Sequence, residues 1–384
     1  MPLRVDIDFE SHEMFIDGVQ VNKTPKTIVP HDSNKKSKHP VILKIIVGQA
    51  CNYNCKYCYQ SDKQKFEPSK IKELLERLDN TLCYDKLQEV QIWGGEPLLY
   101  FDSVVLIYDH FYKKNAVLSI ITNGSKLTKE IVTVLNIYDV NVCISHDGPA
   151  QTKVRGEDPL TLHKDVIKDI KHLSIACCLT KDNYDLCEIN DWFYDKFAEI
   201  GVKIKNVLIN YNIIEVHDER SRKLAIVDLP KFQLCLRMFF DRCREKDPKI
   251  IWNTFYHNMT EGSVAKLCQD IVRSEPIIDC TGCCLEFDDI IIVDNNGYIR
   301  ECQNLNDTYN IGVLEDLPNK MYEKDARCKE CVYKNLCQGV CPIIPKEYFN
   351  INCSTNMARF EVVADFSLKI IEREVMNIAN NHKY

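Results

Sequence analysis

Between residues 41 and 212 the chain alternates short runs rich in Val and Ile with amphipathic stretches, and this alternation limits the possible folds more than any other feature. Residues 41–47, 89–93, 117–122, 140–145, 175–180 and 207–212 read as strands. Between the first two, Ile71, Leu74, Leu75, Leu78 and Leu82 recur at helical spacing, and 101–114, 129–137, 160–172 and 188–200 read as helices too. Parallel strands require such crossovers, because a tight turn cannot carry the chain back to the same end of a sheet. The pattern therefore predicts an α/β fold built on a parallel sheet. Periodicity alone does not separate an open doubly wound sheet from a partial barrel. In both, residues that handle ligands collect where the strands end.

A chain of 384 residues with 45% hydrophobic content has room for one large α/β domain and a smaller one. Its net charge of -7 argues against a broad nucleic-acid surface, and Lys23, Lys26, Lys35, Lys36 and Lys38 read as part of a solvated linker. No apolar run approaches the roughly 20 residues of a membrane span. The first ten residues carry no apolar signal segment, which predicts reducing, cytoplasmic surroundings for the chain's 20 cysteines. In such surroundings clustered cysteines are more often metal ligands than disulfides. Residues 1–22 alternate around Asp17-Gly18 and read as a hairpin added to the edge of the main sheet. A long helix is expected at 228–246 and a last one at 356–379, the latter without evident chemistry.

The chemistry-bearing residues sit at the expected strand ends. Cys51-x3-Cys55-x2-Cys58 directly follows the first strand. Three thiolates without a fourth would leave one iron of a four-iron cluster open, although a partial zinc site or three buried thiols would use the same residues. Gly94-Gly95-Glu96-Pro97 follows the second strand, Thr122-Asn123-Gly124 ends the third, and Ser145-His146-Asp147-Gly148-Pro149 ends the fourth, with Arg155 beyond it. Singly these are ordinary turns; their order gives them weight. Further on, Cys280, Cys283 and Cys284 precede a hairpin at 290–302 with Asn296-Gly297 as its turn signal. Cys302, Cys328-x2-Cys331-x5-Cys337-x3-Cys341 and Cys353 follow, a set that suits iron–sulfur clusters or a zinc ribbon.

The ordered motifs between Cys51 and Arg155 resemble those of radical SAM enzymes, and the C-terminal cysteine pattern resembles their SPASM extension. The resemblance implies a (β/α)6 partial TIM barrel at 41–249, preceded by a hairpin and linker at 1–40. It further implies a cysteine-rich SPASM iron–sulfur domain at 250–355 and a C-terminal helix at 356–384. S-adenosylmethionine (SAM) would bind the open iron of a [4Fe-4S] cluster on Cys51, Cys55 and Cys58. Tyr57, Gly94, Gly95, Glu96, Pro97, Thr122, Asn123, Ser145, Asp147 and Arg155 would surround it. Two auxiliary [4Fe-4S] clusters would bring the number to three. Cys328, Cys331, Cys337 and Cys353 would hold the distal one. Cys302 and Cys341 would share the nearer one with two of Cys280, Cys283 and Cys284, with Cys268 as a further candidate.

The activity implied is reductive cleavage of SAM to a 5′-deoxyadenosyl radical that takes a hydrogen from a peptide or protein side chain, leading to oxidation, crosslinking or epimerisation. A small molecule or modified nucleotide is the alternative substrate, and a non-catalytic iron–sulfur or zinc scaffold the third reading. A full N-terminal peptide-binding domain would not fit before Val41. The electron would come from a donor such as flavodoxin or ferredoxin. Gln303 stands where sulfatase maturases carry an aspartate proposed as general base, and a glutamine cannot take a proton. Glu301, Asp307, Tyr211 and Glu215, with Asn210, are the substitutes the sequence offers.

Overall fold

The computed structural model describes residues 5–8, 13–16, 18–20, 28–30, 35–60, 70–256, 277–279, 287–304, 310–319, 326–329, 331, 337 and 339–381. The expected hairpin is present as β1 (Val5–Asp8), β2 (Glu13–Ile16) and β3 (Val19–Gln20). It does not join the main sheet. It forms a separate antiparallel sheet, and the edges of the main sheet are held by other strands. β4 (Ile28–Pro30) pairs in parallel with β12 (Ile277–Asp279).

Ten strands make the main sheet, in the order β11-β10-β9-β8-β7-β6-β5-β13-β14-β15. The central six are β5 (Ile42–Ile46), β6 (Glu89–Trp93), β7 (Val117–Thr122), β8 (Asn141–Ser145), β9 (His172–Leu179) and β10 (Leu208–Ile213). They are parallel and lie side by side in chain order, without the reversal that defines a doubly wound sheet. β11 (Trp252–Asn253) extends one edge. On the other, β13 (Ile290–Asp294) pairs in parallel with β5, and β14 (Tyr298–Arg300) and β15 (Asn310–Val313) follow it. The hairpin read at 290–302 is thus part of the same sheet as the central parallel strands.

The two faces of this sheet differ. On β6, Val90 and Ile92 are fully buried while Glu89, Gln91 and Trp93 are partly open, and β9 alternates the same way over its whole length. Such period-2 alternation puts one face under helices and leaves the other to line space. The buried apolar face packs with α1 (Ile71–Thr81), α2 (Phe101–Tyr112), α3 (Lys129–Ile137), α7 (Leu186–Ile200) and α9 (Leu229–Arg244) in one core. Each such Val, Ile or Leu contributes about 1.5–3 kcal/mol by leaving water. On the opposite face Gln91, Ser119, Cys143, Ser174 and Asn210 line a cavity of about 570 Å3. A sheet with helices on both faces would need apolar residues there instead.

Two helical expectations are corrected. Residues 160–172 do not form one helix. Pro159 opens a single turn, α5 (Pro159–Leu162), which Asp158 caps by accepting from Leu160 N and Thr161 N; the chain leaves helical geometry at His163, and α6 (Lys164–Ile167) follows before His172 begins β9. The last helix, α10 (Phe349–Asn381), starts at Phe349 rather than at 356, because a short 3-10 turn after Pro345 runs directly into it. Cys353 therefore lies on that helix. Among the described residues no helix is long and apolar enough to cross a membrane.

Candidate active site

The C-terminal ends of the parallel strands open into a cavity of about 590 Å3, and Cys51, Cys55 and Cys58 stand on its wall. Gly94, Gly95, Thr122, Asn123, Ser145 and Arg155 line the same space, so motifs that are far apart in sequence, from Cys51 to Arg155, meet there. The cysteine loop is tied down from three sides. Gly95 N donates to Gly48 O at 3.0 Å and Glu96 N to Ala50 O at 2.8 Å. A Cβ on Gly95 would lie 2.4 Å from the carbonyl oxygens of Gln49 and Ala50, and one on Gly94 would lie 2.5 Å from Gly48 O. Both positions thus exclude any side chain because the backbone of the cysteine loop passes so close. Asn123 Nδ2 donates to Asn52 Oδ1 at 3.0 Å, and Asn52 Nδ2 to Ser125 Oγ at 2.7 Å.

The third tie is a buried ion pair. Tyr57 OH donates to Asp147 Oδ2 at 2.5 Å, Arg155 Nε donates to the same oxygen at 3.0 Å, and Cys178 N donates to Oδ1 at 2.9 Å. The Arg155 guanidinium lies 5.2 Å from the centre of the Tyr57 ring. Burial, and then the Asp147 carboxylate, are the main influences on Arg155, and the balance raises its pKa further, so it stays charged. Glu96 is equally locked: fully buried, it accepts from Thr122 Oγ1 at 2.6 Å, Asn123 N at 2.7 Å and Leu98 N at 3.0 Å. Burial raises its pKa against those bonds. Glu96, Pro97 and Asp147 are buried beside the cavity and do not line it.

His146, between two of these residues, is completely buried. Its Nδ1 accepts from Gly148 N at 3.0 Å, so the proton of the neutral ring sits on Nε2, which donates to Asp158 Oδ1 at 2.9 Å. Burial depresses the His146 pKa. Asp158 is also half-buried, but bonds from His146 and Thr161 outweigh that and hold it down at about 2. Both folded-state values lie below the unfolded ones, so both groups lend stability that is present at neutral pH and lost on acidification. The loss should begin as pH falls through about 6.5, where the unfolded histidine takes its proton, and continue below about 4 as Asp158 is protonated. Urea unfolding at pH 7.5 and pH 5.5 should show the midpoint falling, and a smaller fall in His146→Asn; an equal fall in both would assign the pH dependence elsewhere.

The second cysteine set approaches the same cavity. Cys337 and Cys341 line it, together with Val340 and Ile344. Cys328, Cys341 and Cys353 pack around Val340, Ile344 and Phe349. Burial raises the thiols of Cys337 and Cys353, and each also feels the charges of Cys328 and Cys331. Tyr59, directly after Cys58, donates to Glu215 Oε2 at 2.9 Å, stacks on His217 at 3.7 Å, and feels both Cys341 and Cys302. Cys268, Cys280, Cys283, Cys284 and Asp307 lie outside the described residues.

The candidate bases separate. Glu215 lines the cavity, whereas Tyr211 points the other way, into the ring layer with Phe239 and Phe255 at 5.9 Å each. Glu301 is half-buried with its pKa raised by burial. Gln303 Oε1 accepts from Lys44 Nζ at 3.3 Å, inside the sheet's polar face. The sequence missed Arg359. It lies on α10, expected to carry no chemistry, and lines the cavity. A cation among Phe360, Val363 and Phe366 on an otherwise apolar helix face was the available signal.

Comparison with known proteins finds a family match over part of the chain. Residues 45–186 match the Radical SAM superfamily. The chain carries a radical SAM domain, and it is an enzyme. It is 22% identical over 343 residues to the radical SAM cyclopropyl synthase TigE of Paramaledivibacter caminithermalis, across 80% of this chain and 69% of that one. It is 26% identical over 236 residues to an S-adenosylmethionine-dependent nucleotide dehydratase of Fibrobacter sp., across 59% of this chain and 64% of the dehydratase. The fold resembles anSMEcpe with bound AdoMet and Cp18Cys peptide, with a TM-score of 0.59 and 18% identity, covering 89% of this chain and all of the other.

The radical SAM domain implies SAM and a [4Fe-4S] cluster, and the residues present fit them. The three thiols share one roomy cavity, and burial pushes Cys55 up to about 11, so a bound cation is what would hold it as thiolate at neutral pH. Among the described residues no three His, Cys, Asp or Glu side chains close around a single ion. At the second set the fit rests on Arg359. Burial lowers its pKa, Cys337 and Glu215 are the groups that oppose this, and its Nε has no acceptor among the described residues. A cluster held by thiolates is negatively charged and would compensate that partly buried cation.

Proposed function

We propose that the chain is a SPASM-type radical SAM enzyme built on a (β/α)6 partial barrel, and that it modifies a side chain of a peptide or protein. The observation that carries this reading is the convergence of Cys51, Cys55 and Cys58, the Gly94-Gly95 turn, Arg155 and the C-terminal Cys337 and Cys341 on one cavity. When bound, the cluster and SAM supply an electron and a 5′-deoxyadenosyl radical able to take hydrogen from an unactivated carbon. The chain's own residues set geometry and exclude water. Gly94 and Gly95 bring bare backbone to the cavity, where it can meet the amino group of SAM. Arg155, held by Asp147, would offer a fixed cation to the SAM carboxylate. Cys328, Cys331, Cys337 and Cys353 would hold the distal auxiliary cluster, and Cys302 and Cys341 part of the nearer one. Glu215, engaged by Tyr59, is the cavity-lining carboxylate best placed to take a proton from substrate.

Two measurements test this. Reduced holoenzyme incubated with SAM should release 5′-deoxyadenosine, and none from protein with its iron intact would end the enzyme mechanism proposed. Anaerobically purified protein should hold about twelve irons per chain for three clusters; about four would remove the auxiliary pair. A nucleotide substrate is the second reading, favoured by the similarity to the nucleotide dehydratase. Nucleoside triphosphates that accelerate SAM cleavage, where short peptides do not, would select it.

A further inference from the structure

A second cavity, of about 420 Å3, lies on the outer side of the cysteine loop. Cys55 lines both this cavity and the interior one, so the thin wall between them is the cysteine loop itself. Its rim is strongly basic. Lys56, Lys153, Lys181, Arg220 and Lys223 line it, and Asp182 is its one acidic residue. All five cations are exposed. Lys153 is paired with Asp182 at 2.8 Å, and Arg220 with Asp218 at 2.8 Å, while the nearby Arg222 pairs with Glu219 at 3.0 Å. Lys56, Lys181 and Lys223 form no ion pair among the described residues. In a chain of net charge -7 this is a local reversal of sign. Arg220 Nη2 also donates to Cys58 O at 3.4 Å, and Lys56 N to Val154 O at 2.9 Å, so the rim is fastened to the loop.

We propose that this basic rim is the docking surface for an acidic one-electron carrier protein, which delivers its electron across the loop at Cys55. The inference rests on the radical SAM reading above and names the partner and its point of entry. The surface has the two properties such a partner needs. Electron transfer falls steeply with distance, and this rim shares its cavity with Cys55, a proposed cluster ligand. Opposite charge steers two proteins together and orients them, without requiring a large apolar interface. The step balances simply: the carrier is oxidised by one electron, the cluster side is reduced by one, and no atom or proton is transferred.

The test uses anaerobic holoenzyme, a reduced flavodoxin as the carrier and dithionite as a small reductant. Lys181→Glu combined with Lys223→Glu changes two exposed side chains and spares the cysteine loop. Wild-type protein should bind flavodoxin at low ionic strength, and the double variant should lose about tenfold or more in apparent affinity and in the rate of flavodoxin-driven 5′-deoxyadenosine release. That gap should close at about 0.5 M salt, where charges are screened beyond a few ångströms. With dithionite the two proteins should react equally. Unchanged flavodoxin binding in the variant would overturn the proposal, as would loss of dithionite-driven turnover, which would place the rim in the path of an anionic substrate. Tighter binding of a single-stranded RNA than of flavodoxin, abolished by the same variant, would overturn it as well. A wild-type protein that binds flavodoxin but releases no 5′-deoxyadenosine even with dithionite would refute the proposed function and leave the docking surface standing.

Discussion

Cys55→Ala is expected to abolish release of 5′-deoxyadenosine while the iron held by the C-terminal cysteines stays. Of the three loop thiols, Cys55 is the one that lines both cavities. With two thiolates left, a cluster that already lacks a fourth protein ligand has no secure hold. Iron should fall by roughly a third from the three-cluster value, and the remaining spectroscopic signal should be that of the auxiliary set. Circular dichroism should be unchanged, because the loop stays anchored through Gly95, Asn123 and Tyr57. Continued SAM cleavage by the variant would disprove the assignment of the triplet.

Asp147→Asn is expected to cost about 3–5 kcal/mol of folding stability, because it strands the Arg155 charge in the interior. Asp147 is wholly buried and the Arg155 side chain is 13% exposed, so water does little to replace the lost partner. The double variant Asp147→Asn with Arg155→Met removes the stranded charge and should recover most of that loss. It should not recover SAM binding, since the cation proposed to meet the SAM carboxylate is gone. Denaturant unfolding and equilibrium binding of SAM separate the two effects. A double variant no more stable than Asp147→Asn alone would show that the pair is not the source of the cost.

Much of the cavity's lining was legible in the sequence, for a chemical reason. Thiols at fixed short spacing, paired glycines and a strand-end carboxylate are costly or unusual choices, so their order along the chain carried information. The roles were less legible. Glu96 and Asp147 read as ligand contacts, yet each carboxylate is surrounded by internal donors, Thr122 and two backbone amides for one, Tyr57, Arg155 and Cys178 N for the other. Arg359 could not be placed, because a lone cation on a helix face says nothing about which cavity it meets.

The sequence by itself determined the alternation of strands and helices, the positions of β6 and β7 to the residue, and the convergence expected at the strand ends. Periodicity supplies these, since each element must bury its own apolar face. Only the tertiary structure decided the strand order, the separate hairpin sheet, the joining of β13 to β5, and the break at His163. Those depend on which edges and partners are free once the chain is compact, which no local pattern encodes. The same holds for the basic rim: Lys56, Lys153, Lys181, Arg220 and Lys223 are scattered over the sequence, and only the fold gathers them outside Cys55.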